Sequence, residues 1–217
     1  MRSRPVRDDQ GFSLLEMVTA MALFTVFVVI FTTAVASLVG SINGSRAAAE
    51  GASTNGTIAG WMDRQVRYAE SINYPGVSGG HRYIEFYLPR SVSSSGNSQC
   101  IQWRFEPSSG LVEARDWDID SGGAAANLTP WRTRGSLTFD LGGVDYPFQM
   151  LPADLSKGLL RQRLQLTLAT GSVTSAASQM QTSFVARNSS TSSVTNLDVN
   201  GDGQSDTQVC MQAGGRP

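Results

Sequence analysis

Residues 17–39 form an unbroken apolar run, Met17 to Val39, that holds no charged residue, no proline and no glycine. As a helix its about 23 residues rise roughly 35 Å, enough to cross the hydrocarbon core of a bilayer. One acid, Glu16, stands at the entry of this run. A carboxylate in that position is costly unless it is paired or faces something other than lipid. It is therefore read as a functional residue whose partner has to be found.

Gly11, Phe12 and Glu16, followed by the apolar run, resemble the processing signature of type IV prepilins and of the pseudopilins of type II secretion. The resemblance implies that a prepilin peptidase cuts between Gly11 and Phe12 and methylates the new terminal amine of Phe12. It also implies that Glu16 pairs with the terminal ammonium of a neighbouring subunit. Two charges that are costly singly in a fibre core become tolerable together, and their pairing can set the axial register. An ordinary signal anchor explains neither the glycine nor the glutamate.

The first ten residues carry Arg2, Arg4 and Arg7, followed by Asp8 and Asp9. Basic residues before the span keep that end in the cytoplasm. In a secretory signal peptide the apolar region precedes the cut, whereas here it follows, so the span stays in the mature protein. The chain has 217 residues and a formal charge of −1. That length points to one membrane-anchored domain, and the near-neutral charge argues against a broad basic surface for nucleic acid. Cys100 and Cys210 fall in the exported part, where disulfides persist, and two cysteines allow a single intramolecular pairing.

Beyond Val39 the chain is expected to stay helical to about Glu70. Gly40, Gly44, Gly51, Gly56 and Gly60 each weaken that helix by up to about 1 kcal/mol, so it is either broken near Gly40–Gly44 or held by packing. Ile58, Trp61, Met62, Gln65, Val66 and Ala69 recur at three-and-four spacing and form a stripe suited to covering a sheet, with Arg64 and Arg67 off it. Pro75-Gly76 closes the element. The period then changes to two. Tyr83–Leu88, Cys100–Phe105 and Leu111–Trp117 read as strands, the last two joined by the Pro107–Gly110 loop. Residues 118–130 read as a loop, and a solvated loop explains the cluster of Asp116, Asp118 and Asp120 better than a second ion site does. Gly135–Leu141 and Tyr146–Leu151 are weaker strands, and Leu164–Leu168 pairs with Ser178–Arg187. The fold class is α+β: a long N-terminal helix against the concave face of a mostly antiparallel sheet. That order resembles pilin-like proteins, and the late strands ending Phe184–Asn188 resemble the larger minor pseudopilins of the J type and their minor-pilin relatives.

The tail begins with a Ser/Thr tract, residues 188–196, read as a mobile linker. Asp198, Asn200, Asp202, Gln204 and Asp206 then offer oxygens at alternate positions around Gly203, an arrangement that can close on Ca2+. It resembles the DxNxDGxxD loops of EF-hand-like and integrin-repeat proteins, but the twelfth position is Val209 and no helix follows. A plain turn is the other reading, because Asn-Gly and Asp-Gly are turn formers. His81 is the only histidine and has no evident catalytic partner, and no phosphate loop or paired-cysteine metal site appears. No enzyme is expected.

The chain thus divides into a leader (1–11), a membrane and fibre-core helix (12–39), its amphipathic continuation (40–75), a β-rich domain (76–187) and a tail (188–217). The resemblance implies a structural, minor subunit of a type IV pilus-like filament, carried on a single-pass anchor with the domain exported to a periplasmic or surface filament. Its partners would be other pilin subunits, the prepilin peptidase, the membrane and the assembly platform. The alternatives are a minor pseudopilin of type II secretion, or, in another class, a membrane-anchored surface-binding module such as an adhesin or DNA-uptake tip.

Overall fold

A computed structural model describes residues 13–93, 95–137, 140, 142–143, 146–172, 175–202, 205–213 and 216. Two compact units divide at Arg46–Ala47. The first, as far as it is described, is helix. It opens helix α1, which runs Leu14–Val66 without a break. Ser13 caps it, its hydroxyl accepting the Glu16 amide proton at 3.2 Å.

The expected alternative at Gly40–Gly44, a break or packing support, meets neither condition. The helix passes through, and a methyl group added at either glycine would meet nothing within 4 Å. Gly51 in the second unit is different. A Cβ there would lie 2.1 Å from Thr170 Oγ1, so the missing side chain is what admits the neighbouring strand.

In the second unit, the last turns of α1 bury Ile58, Met62 and Val66 completely, as the stripe requires. The helix ends at Val66 rather than continuing toward Glu70, because the Glu70 amide is captured by the Tyr87 carbonyl at 2.9 Å and the chain enters the sheet. The strands are β1 (Ser71–Ile72), β2 (Gly76–Ser78), β3 (His81–Leu88), β4 (Ser98–Phe105), β5 (Leu111–Ile119), β6 (Ala125–Ala126), β7 (Arg132–Ser136), β8 (Phe148–Leu151), β9 (Arg163–Ser172) and β10 (Ser175–Val185). Strands β1 to β7 make one antiparallel sheet in the order β1-β3-β4-β5-β6, with β2 also on β3 and β7 also on β5. A second sheet runs β10-β9-β8.

Alternation assigns the faces. Ile84, Phe86, Ile101, Trp103, Phe105 and Val112 point into one core with the helix stripe and with Phe148, Met150, Leu164, Leu166 and Leu168 of the second sheet. The Trp103 indole donates to Gln65 Oε1 at 2.7 Å, which ties the helix to the sheet with a satisfied polar group. Gly135 of β7 lets the strand lie close against the helix, since a Cβ there would stand 2.7 Å from Ile58 Cδ1. The chain is α+β, with a long apolar helix followed by antiparallel sheets that pack on its later turns.

Two expectations fail. Asp116 and Asp118 lie in β5, not in a solvated loop. Asp118 is buried and accepts from Ser95 Oγ at 2.7 Å and Asn127 Nδ2 at 3.0 Å. The Ser/Thr tract is not a free linker. Ser189 and Thr195 are fully buried, and both are hydrogen-bonded to Gln162, itself fully buried. Ser193 Oγ donates to the Glu70 carbonyl at 2.8 Å. Hydroxyls that look solvated in a sequence are buried readily once they find partners.

Candidate functional site

The features predicted to carry function lie at the head of α1 and in the tail. Gly11 and Phe12 lie outside the described residues. Glu16 occupies the third position of the first turn of α1, three residues after the Ser13 cap, in the spacing of a capping box. Its negative charge also suits the positive end of the helix dipole.

Downstream of Glu16, every residue to Arg46 is exposed. The helix is long and apolar enough to cross a membrane, with a mean hydropathy of 2.4 in its most apolar window. Its polar groups suit lipid. Thr25 Oγ1 donates to the Met21 carbonyl at 2.8 Å, Thr32 Oγ1 to Val28 at 2.8 Å and Thr33 Oγ1 to Val29 at 2.6 Å. Each hydroxyl is satisfied within the helix, so none needs water.

In the tail, Cys100 and Cys210 form a disulfide across 110 residues of sequence. It lies on the sheet face turned away from the helix, against the fully buried Trp117. The loop that follows the Ser/Thr tract is held by its own side chains. Asp198 Oδ1 and Asn200 Oδ1 both accept the Asp202 amide proton, at 3.0 and 3.1 Å, and Asp206 Oδ2 accepts that of Val199 at 2.7 Å. Gln204 and Gly203 lie outside the described residues. Among the described residues no group of three or more His, Cys, Asp or Glu side chains is gathered as for a metal ion.

Sequence reasoning missed a buried ionic cluster. Glu85 is fully buried on the same outer sheet face. Its carboxylate accepts from Arg216 Nε at 3.2 Å and Nη2 at 2.9 Å, from Asn73 Nδ2 at 2.8 Å and from Gln102 Nε2 at 3.0 Å. Arg115 Nε donates to Gln102 Oε1 at 2.8 Å, and burial pulls that guanidinium below its ordinary pKa. An isolated glutamate in a period-two strand reads as facing solvent. Only Arg216, 131 residues later, shows that something covers it.

Residues 6–32 match the family described as the prokaryotic N-terminal methylation motif. That match spans Gly11, Phe12, Glu16 and most of the apolar run. No curated protein and no solved structure matches the chain.

Proposed function

We propose that this chain is a structural subunit, and a minor one, of a type IV pilus-like filament. It would be processed at Gly11–Phe12 and assembled through α1. The observation that carries the reading is the methylation motif running directly into a helix whose apolar residues up to Arg46 are all exposed. Exposed apolar surface of that extent calls for lipid or for the helices of other subunits. A minor role is supported by the absence of proline from the apolar run and by a domain large for a bulk repeating unit. The late β9–β10 pair is what favours the J-type resemblance. Membrane anchoring, the prepilin peptidase, the assembly platform and other pilins follow as partners from the same motif. A type II secretion pseudopilin would share all of this, and the filament fraction in which the subunit is found separates the two.

Two substitutions test the reading together. Gly11→Glu should abolish cleavage and methylation, seen by intact mass, because the peptidase must seat a small residue beside the scissile bond. Glu16→Ala should leave cleavage intact, since the cut lies four residues away. Recovery in sheared filaments should fall roughly tenfold or more, as the Phe12 ammonium loses its partner. Wild-type protein that keeps Met1 in cells with an active prepilin peptidase would sink the proposal.

For the tail loop we propose calcium, with Asp198, Asn200, Asp202, Gln204 and Asp206 as ligands. The support is the alternate spacing and the convergence of Asp198 Oδ1 and Asn200 Oδ1 on a single amide proton. A ligand that binds only the folded state raises its stability with the logarithm of concentration, by about 2.7 kcal/mol at a hundredfold excess over Kd. The melting midpoint should therefore rise with calcium in the wild type and not in Asp202→Ala. Superimposable melts with calcium and with chelator reduce the loop to a turn.

A further inference from the structure

Between the last turns of α1 and the edge of the first sheet lies a groove of about 480 Å3, within the range of ligand-sized clefts. Val92 and Tyr68 supply exposed apolar and aromatic lining over the buried Leu88 and Ile101, and Arg64, Arg132 and Arg134 supply charge. Among the described residues none of these arginines forms a salt bridge with a carboxylate. The one acid in the lining, Asp116, is already engaged by neutral donors, Thr129 Oγ1 at 3.0 Å and Gln99 Nε2 at 3.3 Å.

Two of the guanidinium groups are held in place. Arg64 and Arg134 each sit 4.6 Å from the centroid of the Trp61 ring. Stacking of this kind fixes a guanidinium plane while leaving its edge N–H groups to donate. Arg134 Nε is buried and has no hydrogen-bond partner. A buried donor left open carries a desolvation penalty that an arriving acceptor would remove.

We propose that this groove binds an acidic peptide segment of a partner protein, one in which carboxylates alternate with apolar side chains. Carboxylates meet the arginines in the paired geometry that guanidinium favours, and the apolar side chains cover Val92 and Tyr68. A lone oxyanion would leave Val92 and Tyr68 bare. A nucleic-acid strand fits less well. Trp61 already has guanidinium groups stacked on it rather than a base, and the groove supplies three cations, few for tracking a phosphate backbone. The proposal does not depend on the filament reading, since the groove lies wholly in the second unit.

The test uses the full chain in detergent micelles, with fluorescence anisotropy of a short labelled peptide alternating leucine and glutamate. The controls are its leucine–glutamine counterpart, inorganic phosphate as competitor and a polythymidine oligonucleotide. The acidic peptide should bind saturably and weaken with salt, and the glutamine peptide should not bind. Arg134→Gln and the exposed Arg132→Gln should each weaken binding roughly tenfold, the usual scale for losing a charge-assisted contact. Melting curves establish that both variants are folded, and Arg161→Gln, far from the groove in sequence and not among its lining residues, should bind as wild type does. Equal binding of the two peptides, or unchanged binding in folded Arg132→Gln, overturns the proposal. So does an oligonucleotide that binds more tightly than the acidic peptide, or phosphate that displaces the peptide as an equal competitor.

Discussion

Glu85→Ala is expected to destabilise the folded domain by about 3–5 kcal/mol, because it strips a buried guanidinium of its counter-charge. Glu85 is fully buried, and the Arg216 side chain retains 9% exposure. Asn73 and Gln102 would lose an acceptor at the same time, and Arg115 would lose the orientation of Gln102. Removing Arg216 instead leaves a buried carboxylate with neutral donors only, so Arg216→Ala should fall in the same range. The half-exposed pair Arg67–Asp63 is the contrast. Its side chains are 38% and 35% exposed, and Asp63→Ala should change stability by no more than about 1 kcal/mol. Urea denaturation of the full chain in micelles, followed by tryptophan fluorescence, reads all three. Trp103 and Trp117 are both fully buried and should report the transition. If Glu85→Ala and Asp63→Ala unfold at the same urea concentration, the cluster is not what holds the tail.

Loss of the Cys100–Cys210 bond is the second large effect. The bond joins residues 110 apart, and closing a loop of that size removes unfolded-state entropy worth about 4–5 kcal/mol at the upper end. Cys210→Ser should therefore lower the melting midpoint steeply, and a reductant should do the same to the wild type and nothing further to the variant. The disulfide and the Glu85 cluster secure one segment against one sheet face, so their losses should overlap. The combined Cys210→Ser and Arg216→Ala variant should be destabilised by clearly less than the sum of the two. Strict additivity would mean that the two fastenings work independently.

The helix and the central strands were legible because burial repeats at the element's own period. Tyr83–Leu88, Cys100–Phe105 and Leu111–Trp117 all lie within strands of the first sheet, and Ile58, Met62 and Val66 all face its core. Local pattern cannot show which polar residues will be covered. The hydroxyls of Ser189 and Thr195 are buried by virtue of Gln162, about 30 residues earlier, and Glu85 by virtue of Arg216. The arginine groove has the same origin: Trp61 and Arg64 come from α1 and Arg132 and Arg134 from β7, and nothing in either segment announces the other. The head of the chain was the most readable part because its chemistry is written in consecutive residues.

Chain order gives the tail fastening a consequence in time. In the export that the proposed function entails, β3, β4 and β5 are delivered well before the segment that covers their outer face. In that interval Tyr87 and Trp117 line a bare surface, and the Glu85 carboxylate is hydrated. Cys100 is then the only thiol that has emerged, open to mixed disulfides with passing oxidants or with a second chain. The speed of translocation between Cys100 and Cys210 therefore sets how long the nascent domain is vulnerable. Slowing it should raise the yield of cross-linked and aggregated chains without any change in the finished fold.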